Sequence, residues 1–153
     1  MDKPIKKYMK FVLCAIISSC GCTRNNQEDY TIGIPIENCS MVSYDNHNLT
    51  DNGVNIYCPS GSVVVAAMDG VVITLKKDSI DWMIETICPS NNLISHYSYV
   101  SYPTIHHGDT LSMNDTIGVS SYGTKFLHYS LYYYSEGDTI FLNPLPKFNE
   151  CFE

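Results

Sequence analysis

The chain has 153 residues, which allows one domain with a real core and not two. Hydrophobic residues make up 44% and charged residues 16%, which excludes an intrinsically disordered chain. Nine basic against 16 acidic residues give a formal net charge of −7 and argue against nucleic acid as a partner, because phosphate binding needs a basic patch.

Residues 1–19 read as an export signal: the lysine-rich start MDKPIKKYMK, the apolar run FVLCAII, then the small residues Ser18 and Ser19. The apolar run is far shorter than the roughly 20 residues that span a bilayer. Ile17-Ser18-Ser19-Cys20 resembles the bacterial lipobox, which makes Cys20 the expected lipidated first residue; Cys22 fits less well because Cys20-Gly21 would precede it. Lipid chains would then anchor the protein to a membrane through buried methylenes, at about 0.8 kcal/mol each. Loss of residues 1–19 removes four of the nine basic and one of the 16 acidic residues, leaving five and 15. The expected location is the bacterial cell envelope, with residues 20–29 as a polar tether and residues 30–153 as the folded domain.

From Tyr30 onward no helical period is found, and the frequent Tyr, Val, Ile and Thr favour strands. Strand-like runs between turn signals are expected at 30–36, 54–57, 63–68, 71–75, 82–87, 93–102, 116–119, 127–134 and 139–142. Asp69-Gly70 between two apolar runs predicts a two-residue hairpin with both residues at positive φ. Pro89–Asn92, Gly108-Asp109 and Ser135–Asp138 read as further turns, and Ser43–Asn52 as a polar loop. Many short strands with close turns imply an all-β fold, an antiparallel β-sandwich or open barrel. Cysteines 39, 58, 88 and 151 form no Cys-x-x-Cys pair, so a cysteine zinc site is not expected; Cys58 and Cys88 read as buried thiols.

Two segments resemble the lysostaphin-type zinc endopeptidases, which cut peptide cross-links in peptidoglycan. Gly53, Pro59, Gly61, Val64, Ala66, Asp69, Gly70 and Val72 hold the frame of that family's first motif and the hairpin after it. Ser95-His96-Tyr97 resembles its Tyr-x-His-Leu strand, Phe126-Leu127-His128-Tyr129 stands where His-Leu-His-Phe is expected, and Asn143-Pro144-Leu145 resembles its closing Asp-Pro-Leu. The resemblance implies that family's β domain, of the duplicated hybrid motif kind. It also implies zinc held by a His and an Asp of the first motif and by the last His of His-x-His.

Residue by residue, those ligand positions fall on Asp51, Asn55 and His128, while Phe126 replaces an expected catalytic His and His96 remains as a candidate. An amide oxygen is a poor zinc ligand, and a phenyl ring transfers no proton. His47 offers an alternative register, as His47-Asn-Leu-Thr-Asp51. The expected protein is a degenerate member that binds peptidoglycan peptide or a cell-wall hydrolase without cutting, with no cofactor; the alternative is an active zinc endopeptidase with substituted ligands. The hairpin also resembles that of biotinyl and lipoyl carriers, but Met68-Asp69-Gly70 lacks their lysine. His106 and His107, being adjacent, would point opposite ways in a strand and read as solvent-facing. No Gly-x-Ser-x-Gly occurs, and no serine or cysteine triad assembles from the sequence.

Overall fold

The protein is described by a computed structural model over residues 30–45 and 53–149. The signal 1–19, the tether 20–29, Cys20, Cys22, His47, Asp51 and Cys151 lie outside the described residues. The compact unit that carries the fold begins at Thr31. Its strands are β1 (Met41–Asp45), β2 (Gly53–Tyr57), β3 (Val63–Val65), β4 (Gly70–Asp78) and β5 (Asp81–Ile87). They continue as β6 (Ile94–Ser101), β7 (Thr110–Leu111), β8 (Thr116–Ser120), β9 (Phe126–Ser135) and β10 (Asp138–Leu142). A short helix, α1 (Leu145–Asn149), follows, its first turn capped by Asn143 Oδ1, which accepts the Leu145 N–H at 3.0 Å.

The pairings are antiparallel, in the order β1-β2-β9-β6-β5-β4-β7, with β10 beside β9 and β3 joined through β8 to β6. The all-β expectation holds, as an open sheet. Period-two alternation divides its faces. Val54, Ile56, Tyr97, Leu127, Tyr129 and Leu131 point to one side and are fully buried. Asn55, His96, Ser98, His128, Ser130 and Tyr132 occupy the alternating positions of the same strands and line the other side. Phe148 of α1 closes the core over Tyr129, with ring centroids 5.6 Å apart.

Three local expectations are corrected. The segment 30–36 forms no strand beyond a bridge of Ile36 to Val64. Asp69-Gly70 is not a hairpin turn: β3 pairs with β8, and β4 pairs with β5 and β7. Glycine is needed there for close approach, since a Cβ at Gly70 would lie 2.9 Å from the Ile87 carbonyl oxygen, while Asp69 Oδ1 accepts the Met113 N–H at 2.7 Å. The start of the polar loop, Ser43–Asp45, instead belongs to β1 and pairs with Gly53–Asn55. The turn at Ser135–Asp138 is as expected, with Glu136 and Gly137 both at positive φ between β9 and β10. Of the cysteines, Cys58 is buried, whereas Cys88 is only half-buried.

Candidate functional site

The polar face of the sheet carries the chemistry. Asn55 of β2 and His128 of β9 are direct cross-strand partners, and the His128 Nδ1–H donates to Asn55 Oδ1 at 2.8 Å. The ring's other nitrogen, Nε2, lies 3.2 Å from Ser130 Oγ, so His128 is fixed at both ends and almost fully buried. Phe126, two residues before His128, faces the same way. Its ring lies between Tyr57, at 5.9 Å between centroids, and Tyr99, at 5.3 Å and nearly perpendicular. An apolar aromatic cluster therefore stands beside the Asn55–His128 pair.

A second polar group lies further along the face. His96 of β6 is opposite Glu85 of β5, and its Nδ1 is 3.2 Å from Glu85 Oε1. His96 Nε2 is 2.7 Å from Ser98 Oγ. The Tyr132 hydroxyl donates to the same Glu85 oxygen at 2.6 Å. The hydrogen bond from His96, with further ones from Thr74 and Tyr132, outweighs burial and lowers the Glu85 carboxyl to about 2. Burial, followed by the adjoining Glu85 carboxylate, raises the Tyr132 hydroxyl.

A lowered carboxyl stabilises the fold only while it is ionised. The Glu85 contribution is complete above its unfolded value, about 4.3, and is lost as pH falls toward about 2. Urea unfolding of wild type and Glu85→Gln is therefore expected to show a stability gap that is full near neutrality and closes across that window. A gap of the same size at both ends would remove Glu85 as its source.

The profile of peptidase family M23 matches residues 50–141. The chain belongs to peptidase family M23. A solved structure described as a candidate glycyl-glycine endopeptidase, LytM of Ruminococcus gnavus, superposes with a TM-score of 0.59 at 24% identity, over 74% of this chain and 57% of its own. Csd3 of Helicobacter pylori gives 0.60 at 21%, over 78% of this chain and 33% of its own. A chain of the SpoIIQ–SpoIIIAH pore-forming complex gives 0.59 at 19%, over 77% of this chain and 90% of its own. At these identities the likeness establishes the fold alone. The chain thus spans little more than half of LytM and a third of Csd3. No curated protein matches it.

Within the M23 frame, the sheet brings Asn55, Phe126 and His128 together. His96 is not bonded to these three: it lies opposite Ser130 and is bonded to Glu85 and to Ser98, the cross-strand partner of His128. The β6 ring that meets Phe126 is Tyr99. Tyr97-Ser98-Tyr99-Val100 has a tyrosine first and an aliphatic residue last, as Tyr-x-His-Leu does. The readable signal was the aliphatic Val100 after Tyr99; the visible histidine four residues before Val100 obscured it.

Zinc in such a site needs three protein donors of imidazole or carboxylate type. The described residues do not fit one: His128 supplies a single imidazole, Asn55 a neutral amide already bonded to it, and Phe126 no donor at all. Among the described residues no three His, Cys, Asp or Glu side chains converge. His106 is exposed and pairs with Asp109 at 3.6 Å, in a separate surface turn.

Proposed function

We propose that this M23-family chain is an exported lipoprotein, anchored through Cys20 in the bacterial cell envelope, whose domain binds peptidoglycan peptide or a wall hydrolase without cutting. One observation carries this reading: Asn55 is bonded to His128 and Phe126 packs against Tyr99 beside that pair, at positions where the family resemblance implies a carboxylate and two imidazoles. A phenyl ring moves no proton, and loss of one general acid or base costs about 10²–10⁴ in rate. The same substitutions leave an aromatic wall that suits a bound peptide. The glycyl-glycine endopeptidase description of LytM supports a wall peptide as the ligand class. The occurrence of the fold in a pore-forming complex supports a role as an assembly partner.

The test is sedimentation of the protein with purified peptidoglycan, followed by chromatography of soluble fragments with and without added zinc. Binding without release of new fragments is expected. Zinc-dependent release of peptide cross-link fragments would overturn the reading and point to Asp51 or His47 as compensating ligands.

A further inference from the structure

We propose that Ser98, His96 and Glu85 form a hydrolytic triad, next to the Asn55–His128 pair on the same sheet face, that acts on carboxylic esters entering the groove beside Ser98. The contacts run in the order such chemistry needs: Ser98 Oγ to His96 Nε2 at 2.7 Å, and His96 Nδ1 to Glu85 Oε1 at 3.2 Å. Each imidazole nitrogen thus has its own partner, one nucleophile and one carboxylate. Triads recur on unrelated folds and are recognised by this geometry rather than by sequence order. His96 is the one of the three that the M23 resemblance also offers as a catalytic candidate, and Ser98 is the cross-strand neighbour of His128, but the proposal does not rest on wall binding.

The fold explains the placement. His96 faces Glu85 across the β5–β6 ladder, and Ser98 follows on the same face. Trp82 pairs with Val100 and Ile84 with Tyr97, so Ser98 and Tyr99 together oppose Met83 alone. That is a β-bulge, a device that re-aims side chains and is over-represented beside active sites. Tyr99 completes it at a φ of 65°, a costly conformation for an aromatic residue.

The bulge turns Ser98 into a groove of about 470 Å³ whose walls include Trp82, Met83, Tyr99, Gly123 and Thr124. That volume suits a small molecule, and the apolar walls suit an acyl group. The His96 and Glu85 side chains are 13% and 19% exposed, shielded enough to hold one geometry behind a half-buried serine.

In the first half-reaction, Ser98 Oγ attacks the ester carbonyl carbon while its proton passes to His96 Nε2. The adduct collapses, the carbon–oxygen bond to the alcohol breaks, and the proton moves from His96 to the departing oxygen. Water then attacks acyl-Ser98 and gives one proton to Nε2; that proton returns to Ser98 Oγ as the carboxylic acid leaves. Glu85 is a positioning residue that holds Nδ1–H and stabilises the transient imidazolium. Tyr132 fixes Glu85 in turn.

The experiment treats the full-length protein with a fluorophosphonate probe and with p-nitrophenyl acetate. One adduct per chain, mapped to Ser98, and a burst of p-nitrophenolate are expected. Ser98→Ala should lose both, and His96→Gln should slow both by about 10²–10⁴-fold. Glu85→Gln should lower kcat at unchanged KM, with Glu85→Asp recovering part of it. Ser98→Cys, which keeps a nucleophile of similar size, should move labelling to iodoacetamide. Absence of a Ser98 adduct on folded wild type, or ester hydrolysis undiminished in Ser98→Ala, overturns the proposal. Either result leaves the peptidoglycan sedimentation test unaffected.

Discussion

Gly53→Ala is expected to destabilise the protein by about 1–3 kcal/mol, the range for overpacking a close contact. Strand β2 passes directly over the His128 ring: a Cβ at Gly53 would lie 2.5 Å from Ser130 Oγ, 2.6 Å from the Tyr129 carbonyl oxygen and 2.7 Å from His128 Nε2. Real Cβ atoms do not come so close, so strand or ring must shift. Ser130 Oγ can rotate away, but the Tyr129 carbonyl belongs to the backbone of β9 and cannot. Ser130→Ala should therefore relieve only part of the penalty in the double variant. Thermal unfolding of the four proteins tests this, with Gly53→Ala lower in Tm by several degrees. A Gly53→Ala protein as stable as wild type would mean that β2 does not sit tightly on the site.

The sequence carried the sheet further than it carried the site. The strands expected at 54–57, 93–102 and 127–134 were legible because apolar and polar residues alternate along them, as a buried face requires. Pairing partners were less legible. Asp69-Gly70 has the composition of a turn, yet its glycine serves a backbone approach and its aspartate accepts a distant N–H. Composition does not separate those demands.

The site shows the same limit. Asn55, Phe126 and His128 were readable because β2 and β9 run without interruption through them. His96 was assigned its place on the resemblance of Ser95-His96-Tyr97 to Tyr-x-His-Leu. The bulge at Ser98–Tyr99 adds one residue to that strand opposite β5, which sets Tyr99 beside Phe126. No local residue pattern announces such an insertion. A serine and a histidine two apart in a tyrosine-rich strand read as side chains facing water until the partner strand delivers Glu85.

Tyr129→Ala is expected to be the most damaging single change considered, at about 3–5 kcal/mol. The side chain is fully buried, packs edge-on against Tyr97 at 5.3 Å and tilts against Phe148 at 5.6 Å. Its hydroxyl and Ser95 Oγ are 2.9 Å apart in the core. Total stability of a domain this size is about 5–15 kcal/mol, so the loss is a large fraction of it. Tyr129→Phe separates the two contributions: it keeps the ring, breaks the bond to a buried serine and should cost about 1–3 kcal/mol. Ser95→Ala in the same chain should return part of that, because it removes the stranded hydroxyl. Tyr129 also lies between His128 and Ser130 on β9, so its packing on one face sets the position of both polar groups on the other. Urea unfolding followed by tyrosine fluorescence would rank the variants. If Tyr129→Ala cost no more than Tyr129→Phe, the ring would not be the anchor that places His128, and the rigidity claimed for this part of the site would have to come from elsewhere.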